Sequence, residues 1–134
     1  MEGWIHGFGR IDYSNGDIYE GDFCQGEKTG QGLYQFANGN VYEGEFYEDQ
    51  INGLGVFTFA DGNRYEGEFL NGKICGNGTL YYSDSTGIVT LTAFWNKPNE
   101  FPDEASIIFP NGDCYEGPLV NGEPTAEGVW FSID

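Results

Sequence analysis

Residues 42–69 read YEGEFYEDQINGLGVFTFADGNRYEGEF, a segment that opens and closes on the same five letters, 23 residues apart. Working outward, the pentapeptide returns as YEGDF at 19–23 and YEGPL at 115–119, with a degraded copy, LTAFW, at 91–95. Between the copies a second pattern recurs: Gly7-Phe8-Gly9, Gly30-Gln31-Gly32, Gly53-Leu54-Gly55 and Gly76-Asn77-Gly78. Each is followed by alternating apolar residues and then a turn. Self-similarity at a period of roughly 20 to 50 residues marks a stacked architecture, in which each unit buries its apolar side only against its neighbours.

Each unit reads as a β-hairpin. Asn15-Gly16, Asn38-Gly39, Asp61-Gly62 and Asn111-Gly112 are dipeptides that tolerate positive φ, and they separate short alternating runs, the strongest local hairpin signal. Helix is disfavoured, because each of the 22 glycines would cost a helix about 1 kcal/mol. The expectation is an all-β fold: an elongated, single-layer, twisted antiparallel sheet of stacked hairpins, about ten strands in a row at about 4.8 Å per strand.

Period-two alternation sorts the side chains by face. Tyr42, Gly44 and Phe46 share one face with Gly55, Phe57 and Phe59, while Glu43, Glu45, Val56 and Thr58 fall on the other. The same arithmetic adds Tyr19, Phe23, Tyr34, Phe36, Tyr65, Phe69, Leu80, Tyr82, Trp95 and Trp130 to the aromatic face. Glycines between the rings leave slots in which a ring can lie flat on the backbone, and a stack of rings can then form a core without a second layer.

Residues 1–134 read as one domain: a half-unit at 1–18, units at about 19–41, 42–64 and 65–90, and irregular units at 91–114 and 115–134. All five prolines lie from Pro98 onward. Pro118 falls within a strand, which suggests an edge or a bulge, since proline donates no ladder hydrogen bond. Residues 88–134 are therefore expected to be the irregular, capping end of the stack.

The chain carries 22 Asp and Glu against five Lys and Arg, a formal net charge of -17. A polyanion needs a basic footprint, so nucleic acid is excluded as a partner and anionic lipid is disfavoured. Cys24, Cys75 and Cys114 are odd in number and form no CxxC pattern, so no disulfide framework or zinc site is expected, and a reducing, cytoplasmic setting fits best. The opening MEGWIHGFGR lacks a basic patch followed by an apolar core, and neither a signal peptide nor a membrane span is expected.

These motifs resemble the MORN repeat family, whose unit looks like YEGEW-x-NG-x-x-x-G-x-G-x-x-x-(aromatic)-x-x-G. Three near-complete copies, two partial ones and a leading half-unit cover nearly the whole chain. The departures lie at 88–110, where LTAFW replaces YEGEF and FPDEAS replaces Gly-x-Gly. The resemblance implies consecutive hairpins with no enzymatic activity of their own, and it allows cytoskeletal, ciliary or membrane-junction settings. HGFGRIDYS, GEKTGQG and YEDQINGLGVFTFADG also look similar to the repeat region preceding the catalytic part of SET-domain lysine methyltransferases, although nothing here resembles that catalytic part.

Catalytic readings are weak. The Gly-x-Gly pairs recur four times without a following helix or a P-loop Lys, so they read as backbone slots rather than phosphate cradles. His6 is the sole histidine, and no motif places a nucleophile beside it. No catalytic residue, cofactor or metal site is expected. Glu20, Glu43, Glu66 and Glu116, with Asp22, Glu45 and Glu68 beside them, form an acidic row that reads first as a solvated face and second as a seat for a basic peptide. The aromatic face carries the functional expectation, because an uncovered apolar patch beyond a few hundred Å² marks an interaction surface. Tyr19, Phe23, Tyr34, Phe36, Tyr42, Phe46, Phe57, Phe59, Tyr65, Phe69 and Tyr82 are its candidates. They would receive an amphipathic helix or apolar peptide of another protein, or a second copy in a homodimer. The alternatives are a regulatory or substrate-targeting segment of an enzyme such as a SET-domain methyltransferase, and a phosphoinositide module, which the charge disfavours.

Overall fold

A computed structural model describes residues 6–98 and 100–132. The strands are β1 (Gly7–Asp12), β2 (Ile18–Cys24), β3 (Glu27–Gln35), β4 (Val41–Tyr47), β5 (Gln50–Thr58) and β6 (Arg64–Leu70). They continue as β7 (Lys73–Asp84), β8 (Gly87–Trp95), β9 (Glu104–Ile108), β10 (Asp113–Val120), β11 (Glu123–Pro124) and β12 (Val129–Ser132). All belong to one antiparallel sheet in which spatial order follows chain order, with β11 and β12 both laid against β10 as the two halves of one interrupted strand. The fold is all-β, an open sheet of consecutive hairpins.

Two kinds of turn alternate along the chain. The Asn-Gly and Asp-Gly turns close wider loops: the Gly16 N–H donates to the Tyr13 carbonyl at 3.0 Å and the Tyr13 N–H to the Asp17 carbonyl at 2.8 Å. There only the glycine takes positive φ, 99° at Gly16. Asn15 instead accepts the Asp17 N–H on its side chain, the Asx-turn habit of this residue. The tight two-residue turns, which share no single dipeptide, are Gln25-Gly26, Glu48-Asp49, Asn71-Gly72 and Asn121-Gly122, with both members at positive φ, the geometry that matches strand twist. Successive wide turns are stapled together. The Ala37 N–H donates to Asp17 at 2.7 Å and the Ala60 N–H to the Asn40 side chain at 2.8 Å.

The face assignment holds in the ladder. Tyr42 pairs with Phe57 and Gly44 with Gly55 on one side of β4, and Glu43 pairs with Val56 on the other. The buried residues form a zigzag of rings, Phe23–Tyr19–Phe46–Tyr42–Phe69–Tyr65–Trp95, each meeting the next edge to face at 5.0–5.3 Å between centroids. That is the favoured quadrupole arrangement, contributing about 0.5–1.5 kcal/mol per pair beyond area burial. One layer thus carries its own core.

The irregularity expected over 88–134 is confined to two places, the connection from 96 to 103 and the break between β11 and β12. The ladder otherwise runs on, with Leu91 opposite Ile107 and Tyr115 opposite Ile107. LTAFW follows the pentapeptide pattern in altered form: Leu91 takes the Tyr place, Ala93 the first Gly place and Trp95 the Phe place. Pro118 is interior, paired with Glu104. On its other side Pro118 faces the break between β11 and β12, where no ladder donor is needed, so the edge expectation does not hold.

Candidate functional site

The geometry of YEG(D/E)F is built around one buried tyrosine. The Tyr42 ring lies across Gly44 and Gly55, and a Cβ at Gly55 would clash with its hydroxyl oxygen. Tyr19 lies in the same way across Gly21 and Gly32, Tyr65 across Gly67 and Gly78, and Tyr115 across Gly117 and Gly128. The register shifts by a bulge between Gly44 and Phe46, and the carbonyl freed at Glu45 accepts the Tyr42 hydroxyl at 2.8 Å. The Tyr19 hydroxyl meets the Asp22 carbonyl at 2.8 Å and that of Tyr65 the Glu68 carbonyl at 3.0 Å.

Acidic residues on the opposite face divide into two classes, which the sequence reading did not separate. The bulged carboxylates each accept a backbone N–H from the middle of the next Gly-x-Gly: Asp22 from Gln31 at 3.0 Å, Glu45 from Leu54 at 2.9 Å and Glu68 from Asn77 at 2.6 Å. Glu45 and Glu68 are therefore part of the ladder rather than free members of an acidic face. Glu20, Leu33, Glu43, Val56 and Glu66 alternate in a line across the sheet, and Thr79, Thr92 and Ser106 then separate Glu66 from Glu116. Arg10 approaches Glu20 at 4.0 Å and Arg64 pairs with Glu66 at 2.6 Å. Among the described residues no three His, Cys, Asp or Glu side chains converge as a metal site would.

The eleven aromatic-face candidates also divide. Tyr19, Phe23, Tyr42, Phe46, Tyr65 and Phe69 are buried, the three tyrosines completely. Their area is consumed by the chain's own core, which corrects the expectation that they face a partner. Tyr34, Phe36, Phe57, Phe59 and Tyr82 are only half-buried, and the first four continue from Tyr13 as one file. Centroid separations are 5.9 Å for Tyr13–Tyr34, 4.6 Å for Tyr34–Phe36, 5.7 Å for Phe36–Phe57 and 4.9 Å for Phe57–Phe59. The file ends at an open cavity of about 340 Å³ walled by Phe57, Phe59, Phe69, Leu80, Trp95 and Phe101. Phe101, on the 96–103 connection, is the wall residue that no periodic signal in the sequence marked.

Burial raises the hydroxyl pKa values along this face. Tyr19 and Tyr65 are both pushed up to about 12, chiefly by desolvation. Tyr42 and Tyr34 move further in the same direction for the same first reason, and Tyr34 also through its hydrogen bond to Asp17. Asp17 is held below the ordinary carboxylate range, first by the Ala37 N–H and then by the Tyr34 hydroxyl.

The MORN repeat model matches residues 1–18, 19–41, 42–64 and 65–87, well over half of the chain. The chain belongs to the MORN repeat family. Its four matched segments are the half-unit with β1 and the three hairpins β2–β3, β4–β5 and β6–β7. A search of curated proteins found no match. The hairpin β8–β9 and the pair of β10 with β11 and β12 extend the MORN sheet beyond the matched segments by the same ladder.

Proposed function

We propose that this MORN-repeat chain is a non-catalytic interaction module that receives an amphipathic helix or apolar peptide of another protein along its open ring file. The observation that carries the reading is the continuity of Tyr13, Tyr34, Phe36, Phe57 and Phe59, half-buried rings spaced 4.6–5.9 Å apart. Neighbouring anchors on one helix face stand about 5–6 Å apart, so a helix lying across the strands meets successive rings. The core rings beneath hold that file rigid and keep its cost of ordering low.

The test is selection of peptides from a displayed random library, against the chain and against a Phe36→Ser/Phe59→Ser variant confirmed as folded by its thermal transition. Amphipathic sequences retained only by the unaltered chain are expected. Equal retention of the same sequences by both proteins would contradict the reading.

A further inference from the structure

Among the described residues, the lining of the cavity at the end of the ring file includes one charged side chain. Glu100 is exposed beside Phe101, and it takes part in none of the ion pairs among the described residues. The nearest cation along the chain is Lys97, whose carbonyl accepts the Glu100 N–H at 3.2 Å, while three further charges bordering this face are acidic. Asp17 accepts the Tyr34 hydroxyl at 2.8 Å, and Glu123 and Asp84 act on the Tyr82 hydroxyl after its burial. Lys28, which packs on the same face, is already committed: its Nζ lies 3.2 Å from Asp49 and 5.7 Å from the Tyr13 and Tyr19 ring centroids. An aromatic wall attracts cations through the negative faces of its rings, and a carboxylate at the lip gives that attraction a fixed end. The net charge of -17 adds a field of the same sign across the molecule.

We propose that the cavity takes a lysine or arginine side chain of the docked segment, its apolar stem against Phe57, Phe59 and Trp95 and its charge at Glu100. The partner is then a basic amphipathic segment, and acidic or neutral helices are discriminated against. This rests on the docking reading above and adds to it the chemistry of the occupant. At about 340 Å³ the cavity lies near the lower end of the size range of ligand pockets, which suits one long side chain. Lys28 over Tyr13 and Tyr19, with Asp49 at its ammonium, is a version of the same arrangement inside the fold.

Three helical peptides sharing one leucine pattern, with polar positions all Lys, all Gln or all Glu, would be titrated calorimetrically into the full chain at physiological salt. The measurement would be repeated with Glu100→Gln, with Phe59→Ser and with Glu66→Gln, which removes the same charge from the opposite face. The Lys peptide is expected to bind tightest. Glu100→Gln should weaken it about three- to fivefold, the size of an exposed charge pair, Phe59→Ser should abolish binding, and Glu66→Gln should leave it unchanged. Equal affinity of the Lys and Gln peptides, or equal weakening by Glu100→Gln and Glu66→Gln, would overturn the cation site while leaving the docking face standing. Undiminished binding to Phe59→Ser would overturn it by placing the peptide elsewhere. If none of the three peptides binds, the docking reading falls with it.

Discussion

Tyr42 illustrates how much one residue position must satisfy. Its ring needs two glycines beneath it, its edge needs Phe46 and Phe69, and its hydroxyl needs the carbonyl that the bulge at Glu45 releases. Tyr42→Phe keeps the ring and leaves that carbonyl without its donor, so a loss of about 1–2 kcal/mol is expected in denaturant unfolding. Glu45→Ala removes the acceptor of the Leu54 N–H, with an expected loss of about 1 kcal/mol, whereas Glu43→Ala on the solvated line should be nearly silent. Burial also sets a pH dependence. The folded hydroxyls of Tyr19 and Tyr65 titrate at about 12, above the unfolded value of about 10. Their contribution to stability is therefore fully present below pH 10 and is lost as pH rises through about 12. Ultraviolet titration should show these hydroxyls ionising late, together with unfolding, and normal titration in a chain that stays folded would contradict the burial argument.

At the scale of the element, the fourth hairpin shows which features of the motif depend on one another. Where Leu91 replaces the tyrosine, Ala93 and Ala105 replace the two glycines, and Leu91 remains buried. Glycine is thus required because a tyrosine ring lies on it, and an aliphatic side chain frees the slot. Gly55→Ala is expected to cost about 1–3 kcal/mol by overpacking against Tyr42. In a Tyr42→Leu background the same substitution should cost much less. A double-mutant cycle with no coupling would contradict the slot argument. The tight turn Glu48-Asp49 invites a second test, because it puts two non-glycine residues at positive φ where Asn71-Gly72 has the preferred pair. Glu48→Asn should stabilise by about 0.5 kcal/mol, read as a shift in the unfolding midpoint.

These same elements show how much of the fold is legible in the sequence alone. The pentapeptide spacing and the strand alternation were enough for the hairpins and for placing Tyr42 and Phe57 on one face, because one-residue slips would turn every ring outward. The division of the aromatic candidates was not legible. Tyr42 and Phe57 are identical to a period-two argument, and only the bulge, which turns Phe46 and Phe69 over their neighbouring tyrosines, decides which rings are covered. The roles of Glu45 and Glu68 were hidden for the same reason. Phe101 lies outside any repeat, and its place in the cavity wall depends on how the 96–103 connection crosses the end of the sheet.

For the whole molecule, the open sheet separates two sets of rings: a buried zigzag holds each hairpin to the next, and a parallel file of half-buried rings, the surface proposed for a partner, stays accessible. The opposite face carries its own exposed apolar residues, among them Phe8, Leu54, Phe94 and Val129, interspersed with the acidic line. With a net charge of -17, self-repulsion opposes compactness, and added salt should raise the thermal midpoint by on the order of a few degrees between low and physiological ionic strength. The most direct test of the division of labour is chemical-shift mapping of the full chain on addition of the leucine–lysine peptide. Perturbations are expected at Tyr34, Phe36, Phe57, Phe59 and Glu100, with Leu54, Phe94 and Val129 unmoved. Perturbations centred on those three residues instead would show that the partner face had been assigned to the wrong side of the sheet.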